Sequence, residues 1–289
     1  MDFIALDVET ANADVASVCQ IGIVAFEDGK VKESWQTLVD PEDYFDPFNV
    51  AIHGIDRRAV RNAPNFPEIY GNICNWLAGC VVASHTPFDR LAIQRVIDKY
   101  DLERVDCAWL DTARVARRAW PQFSQRGYRL ANVAGYLGIS FVAHNAEEDA
   151  RAAGELLVRA MEETGMAIHE WQERVNKPIS PTGAGRACMA MDGNPEGSLY
   201  GESAVFTGAL SIPRRLAAQM AADVGCKVTD SVNERTSLLV VGDQDIRHLA
   251  GHEKSSKHRK AEGLIARGLA IRILGESDFT RLVGLQDSP

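Results

Sequence analysis

The sequence has no C-x-x-C pair, no run of about 18 apolar residues and no internal repeat. Its six cysteines (Cys19, Cys74, Cys80, Cys107, Cys188 and Cys226) lack zinc-like spacing. A disulfide framework and a structural zinc site are therefore excluded, and reduced, mostly buried thiols are expected. The missing apolar run excludes a membrane-spanning helix, so no membrane association is expected. The first residues carry no basic region followed by an apolar core, as a signal peptide would, so the expected location is cytoplasmic. Positive charge is also scarce: the formal net charge is −9. Residues 1–175 carry 27 acids against 17 Lys and Arg, whereas residues 176–289 carry 13 against 14. An acidic domain is a poor long-range attractor of nucleic acid, unless some acids hold metal ions that reverse the local field.

What is present is an ordinary soluble composition, with 46% hydrophobic and 25% charged residues in 289. That length allows two domains. Residues 178–201 hold three Pro and five Gly among Ser, Asn and Thr, which reads as an irregular linker. The division expected is 1–175, a linker at 176–200, and 201–289. Before the linker, Val18–Phe26 and Val31–Val39 read as strands of a hairpin turning at Glu27-Asp28-Gly29-Lys30. Cys80–Ser84 reads as a strand. Phe66–Ala78, Phe88–Tyr100, Leu130–Leu137 and Ala146–Glu163 read as helices. This pattern implies a mixed α/β sheet covered by helices. After the linker the expected order is strand Ser203–Thr207, helix Pro213–Asp223, strands Lys227–Val228 and Ser237–Val241, helix Lys257–Arg267 and strand Ala270–Ile273.

Residues 4–9 read Ile-Ala-Leu-Asp-Val-Glu, a buried strand that ends in two acids. Asp7 and Glu9 are i and i+2, so both leave one face of the sheet, roughly 7 Å apart. Two carboxylates so placed repel each other unless a cation lies between them. Oxygen ligands of this kind suit Mg²⁺ or Mn²⁺. Asp89, in His85-Thr86-Pro87-Phe88-Asp89, follows the strand Cys80–Ser84 and opens the next helix. Ligand sites of open α/β sheets gather at such strand ends, although alone Asp89 also reads as a helix-start acid. Asn145 with Glu148 three residues on resembles a capping box, which puts Asp149 in the first helical turns and His144 on the loop before.

Together Asp7, Glu9, Asp89, His144 and Asp149 resemble the DEDD superfamily of 3′→5′ exonucleases, in its histidine-bearing branch. The nearest members are the proofreading epsilon subunit of bacterial DNA polymerase III and its relatives. Asp7-Val8-Glu9-Thr10, His85-Thr86-Pro87-Phe88-Asp89 and His144-x-Ala146-x-x-Asp149 look like the three family motifs in family order. Ile52-His53-Gly54-Ile55 matches a family segment that lines the substrate cleft. Many members have Asn where this chain has Thr86, a difference that bears on local substrate contacts. The resemblance implies an RNase H-like fold and a two-metal hydrolysis of a phosphodiester, with ions ~3.5–4 Å apart. Asp7 would bridge the ions, Glu9 and Asp149 would complete one, and Asp89 would hold the other. His144 would be the general base, and Thr10, His53 and Phe88 would contact substrate. Substrates would be single-stranded 3′ ends, DNA in replication or repair, and products nucleoside monophosphates.

Residues 200–285 resemble a BRCT domain, a small α/β module with a parallel four-stranded sheet. The resemblance rests on Phe206-Thr207-Gly208, Gly225, Leu239-Val240-Val241-Gly242 and Ser255-x-Lys257. Phe279 stands where many members have Trp. The resemblance implies phosphate binding by Thr207, Gly208 and Lys257, and hence a protein partner or a 5′-phosphorylated DNA end. His252, Lys254, Lys257, His258, Arg259 and Lys260 form the only dense basic run. Arg114, Arg117 and Arg118, and Arg126 with Arg129, are read as phosphate contacts or surface charge alike. Two other functions fit the same residues: an exoribonuclease of the oligoribonuclease or RNase T kind, and a BRCT scaffold with a vestigial nuclease.

Overall fold

The computed structural model describes residues 3–125, 128–177, 179, 192–208, 210–242 and 255–284. Most of the proline- and glycine-rich segment, together with Arg126, Cys188, His252 and Lys254, lies outside these residues. The described residues divide into two compact units. The first comprises 1–11, 16–44 and 55–183, and the second 12–15, 45–54 and 184–289.

The first unit is built on a five-stranded mixed sheet. Its strands are β1 (Phe3–Thr10), β2 (Val18–Glu27), β3 (Lys30–Leu38), β4 (Val81–Ser84) and β5 (Ala108–Asp111), in the order β3-β2-β1-β4-β5. β1–β2 and β2–β3 pair antiparallel, and β4 joins β1 and β5 in parallel. Asp28 and Gly29 both adopt positive φ (52° and 71°), the geometry of the two-residue turn that matches strand twist. Helices α2 (Phe66–Leu77), α3 (Phe88–Lys99), α4 (Thr112–Ala119), α5 (Leu130–Leu137), α6 (Ala146–Thr164) and α7 (Ile168–Arg174) surround the sheet. The sheet-facing side of α6 is made largely of small residues, with Ala146, Ala150, Ala153 and Gly154 buried. A side chain at Gly154 would overlap the Phe26 ring, so helix and sheet pack at close range.

Arg117 and Arg118 serve the fold rather than the surface. Arg117 is buried, 4.0 Å from Asp111. Arg118 donates to the carbonyls of Arg114, Arg174 and Lys177. It thereby caps α7 with a cation, where a helix C-terminus favours one.

The second unit carries a four-stranded parallel sheet: β6 (Ser203–Thr207), β7 (Lys227–Val228), β8 (Leu238–Val241) and β9 (Arg272–Gly275), in the order β7-β6-β8-β9. Helices α8 (Arg214–Asp223), α9 (Ser256–Ile265) and α10 (Glu276–Gly284) belong to it, as does α1 (Pro47–His53). α1 places Phe48 and Ile52 against the Val205, Leu239 and Leu264 core. Phe279 is fully buried and meets Phe206 edge-on at 5.2 Å between centroids, an aromatic anchor at the expected position. Residues 192–200 form turns on this unit, with Leu199 buried and its N–H bonded to the Val224 carbonyl. No described helix is long and apolar enough to cross a membrane.

Candidate active site

β1 brings Asp7 and Glu9 to its carboxyl end, both half-buried. The pairing with β2 shifts register between Glu9 and Thr10, a bulge of the kind that re-aims side chains at strand ends. Asp149, in the first turn of α6, closes on the pair. Ligand oxygens of Asp7, Glu9 and Asp149 all lie within 4.8 Å of one another. Three hard oxygen donors at that spacing match the chemistry of a Mg²⁺ or Mn²⁺ site.

The start of α6 departs from the expected capping box. The Asn145 side chain accepts the Glu148 N–H at 3.2 Å, as a cap should. The return bond goes from the Asn145 N–H to Asp149 Oδ2 at 3.1 Å, not to Glu148. Glu148 pairs instead with Arg151 at 2.8 Å, whose hydrogen bond holds its carboxyl below the usual range. The acid aimed at β1 is thus anchored by the helix cap itself. His144 precedes the cap with φ +65° and sets Nδ1 3.9 Å from Glu9 Oε1.

Asp89 is fully buried at the start of α3, and its Oδ1 accepts the N–H of Val8 at 3.2 Å. Val8 lies between Asp7 and Glu9, so this bond ties the fourth acid to the same strand end. Phe88 is buried beside it, Thr10 is half-buried at the end of β1, and His53 closes α1 in the second unit.

Thr86 adopts φ +80°, a backbone state uncommon for a β-branched residue. Its N–H is held by Asp111 Oδ1 at 3.2 Å, and its carbonyl by Ser84 Oγ at 3.0 Å. His85 is locked on both ring nitrogens, to Thr112 Oγ1 at 2.9 Å and to the Tyr128 carbonyl at 2.8 Å. A carbonyl only accepts, so Nε2 carries the proton and this histidine is structural. Asp111 was not singled out by the sequence. The signal that marks it is Asp-Thr directly before a periodic segment, an N-cap. Cys19, buried beneath Glu9, is held well above the ordinary thiol range by burial and then by the Glu9 charge, which keeps it neutral.

In the second unit, Thr207, Gly208 and Lys257 meet at the carboxyl end of β6. Thr207 Oγ1 lies 2.7 Å from Ser255 Oγ, the N-cap of α9. Lys257 Nζ donates to the Phe206 carbonyl at 3.1 Å, and Arg214 donates to the same carbonyl at 2.7 Å and to that of Gly208 at 2.8 Å. Desolvation first, and then the Arg214 charge, lower the Lys257 pKa. Gly208 takes φ +76°. Ser255 and Arg214 thus join the three residues that the sequence pattern marks.

A mixed sheet of this order, with carboxylates clustered at the end of its central strand, matches the RNase H-like fold expected from the sequence. The exonuclease family model (RNase_T) matches residues 4–157, more than half of the chain, and the chain belongs to that family. Residues 194–281 match the BRCA1 C Terminus (BRCT) domain. Among relatives, the DNA polymerase III epsilon subunit of Treponema pallidum is 28% identical over 187 residues, which are 62% of this chain and 84% of that one. The PolC-type DNA polymerase III of Caldanaerobacter subterraneus is 26% identical over 165 residues, 56% of this chain and 12% of that one. The 3′-5′ exonuclease DinG of Staphylococcus epidermidis is 26% identical over 164 residues, 55% of this chain and 18% of that one. The chain therefore spans under a fifth of the PolC and DinG relatives. A solved exonuclease I superimposes with a TM-score of 0.50 at 16% identity, over 60% of this chain and 42% of that one, which shows a shared fold.

Proposed function

We propose that the chain is a metal-dependent 3′→5′ exonuclease that releases nucleoside monophosphates from DNA 3′ ends. The observation that carries this reading is the convergence of Asp7, Glu9 and Asp149 oxygens within 4.8 Å. The name of the DinG relative supports the 3′→5′ direction, and that of the epsilon relative, a DNA polymerase subunit, supports a role on DNA. In this reading Asp7, Glu9 and Asp149 would hold one Mg²⁺ or Mn²⁺, and Asp89 would help to hold a second. Bound divalent ions would supply positive charge against the charge that develops on the scissile phosphate.

The protein's own groups do the rest. His144 accepts the proton of the attacking water, and with Nδ1 directed at Glu9 we assign that proton to Nε2. The imidazolium so formed lies beside the Glu9 carboxylate, which stabilises it. General-base assistance of this kind contributes roughly 10²–10⁴-fold. Activity should rise with pH through the range in which an imidazole gives up its proton. Thr10 and Phe88 are the residues of the first unit we assign to substrate contact, while the His53 assignment rests on the motif resemblance alone.

The BRCT domain, over 201–289 with the turns at 192–200 packed on it, is read as a tether. Thr207, Gly208 and Lys257, with Arg214 and Ser255, form an anion cradle for a phosphorylated protein or a 5′-phosphate. A helix N-terminus with an ammonium and a guanidinium nearby favours such a group.

Digestion of matched 3′-labelled single-stranded DNA, duplex DNA and RNA with Mg²⁺ or Mn²⁺ tests the reading. Stepwise loss of DNA from the 3′ end, stopped by EDTA, is expected. Preferential loss of RNA would make the chain an exoribonuclease, and no digestion of any polymer would leave a scaffold. Equal affinity for 5′-phosphorylated and 5′-hydroxyl duplex ends would remove the DNA-end role of the cradle.

A further inference from the structure

We infer that Gly22, Gln20 and Gln36 form a seat in the sheet that positions the first turn of α6, and through it Asp149 and His144, against the acids of β1. The argument starts from register. Asp7 pairs with Gly22, which pairs in turn with Gln36, so one row crosses three strands. Glu9 pairs with Gln20. Residues opposite one another in a ladder point to the same face. The residues facing the two acids across the strands are therefore those that meet α6.

Each makes a different contact. Gly22 has no side chain, and a methyl group there would overlap the backbone of Ala146 and Glu147. A glycine inside a strand marks such a close backbone approach. Gln20 is buried, and its Oε1 accepts the Ala146 N–H at 3.1 Å. Gln36 Oε1 accepts the Glu147 N–H at 3.2 Å. Asn145 takes the Glu148 N–H, so three successive N–H groups at the helix start have side-chain acceptors, two of them from the sheet. Ser34, also on β3, donates to Glu147 Oε1 at 2.5 Å. The glycine sets the height of the helix over the sheet, and the two amides set its position along it. The Asn145–Asp149 bond passes that position on to the metal-facing carboxylate.

All three act through the start of α6, so they are positioning residues, and their role rests on the metal reading above. The test uses the full chain, with Mn²⁺ binding followed by calorimetry without nucleic acid, alongside kcat, KM and Tm. Gln20→Met keeps length and removes the acceptor. We expect about tenfold weaker Mn²⁺ binding and a similar fall in kcat at unchanged KM, the usual size for groups that orient ligands. Gly22→Ala should lose about a hundredfold in both. If Gly22→Ala does not fold, the Gln20→Met, Gln36→Met double variant carries the test. Leu157→Ala, deep in α6, is the control: it should lower Tm and leave Mn²⁺ affinity unchanged. Seat variants with wild-type Mn²⁺ affinity, or with losses no larger than those of Leu157→Ala, would overturn the inference. A wild-type chain that binds no Mn²⁺ gives a different result, and overturns the metal reading together with the seat.

Discussion

The nuclease sheet and the BRCT sheet place their chemistry in the same position and with opposite sign. In each, one interior strand runs out at its carboxyl end against the first turn of a helix: β1 against α6, β6 against α9. At the end of β1 the side chains are Asp7, Glu9 and Asp149, which call for a cation. At the end of β6 they are Thr207, Lys257 and Arg214, the groups proposed above to receive an anion. The positive end of a helix dipole faces both sites. Only in the BRCT domain does it act with the side chains, while α6 brings an acid of its own in its first turn. Backbone architecture thus offers the place, and a handful of side chains chooses the charge of the guest.

The strongest way to break this contrast is Asp7→Ala. It should lower cleavage of a 3′-labelled strand by about 10³-fold or more, since a ligand shared by both proposed ions is lost. Binding of a 5′-phosphorylated duplex through the other site should not change. A variant that cuts at the wild-type rate would refute the metal assignment. His144→Ala comes next, with turnover lower by roughly 10²–10⁴-fold, KM little altered and the rise with pH flattened. Loss of binding at constant turnover would instead make His144 a substrate contact. Lys257→Ala tests the other side: roughly 10- to 100-fold weaker binding to a 5′-phosphate, from the ~1.5–3 kcal/mol of a charged hydrogen bond, with exonuclease rate on single strands intact. The smallest effect concerns Thr86. Its φ of +80° suits Asn better than a β-branched residue, so Thr86→Asn should stabilise the first domain by about 1 kcal/mol in a urea titration. A lower midpoint would show that the Thr86 hydroxyl contributes more than its backbone costs.

Much of both sheets was legible because local signals and tertiary demand agreed. The run Ile4–Leu6 and the Asp28-Gly29 turn specify β1–β3 without reference to anything distant. The start of α6 was readable from its Asn145 cap. The short elements were not. α1, seven residues long with none fully buried, shows no helical periodicity of its own. β5 is four residues of which one is buried, and its strand identity comes from pairing with β4. β9 was expected two residues early, at Ala270–Ile273, because its bounds follow from pairing with β8, from Leu238↔Arg272 to Val241↔Gly275, and not from its own apolar residues. In α4 three arginines look like a surface cluster, and only packing reveals that Arg117 is buried and Arg118 engaged.

The same distinction holds within the sites. Carboxylates and a histidine announce themselves by chemistry, so the four acids and His144 could be named from residue type and order. Gln20, Gly22 and Asp111 have unremarkable chemistry, and their use follows from register and from one backbone conformation. The Gly in Gln20-Ile21-Gly22 was the single hint that another chain segment passes close by.

The seat on β2 also sets a clock. Gln20 and the helix start it holds are 126 residues apart. A ribosome adding roughly 5–20 residues per second needs on the order of ten seconds to cover that distance. Throughout that interval the nascent chain carries Asp7 and Glu9 without Asp149 or His144. On the reading proposed above, the metal site would be completed only when α6 settles on Gly22, so a half-made chain would not cut.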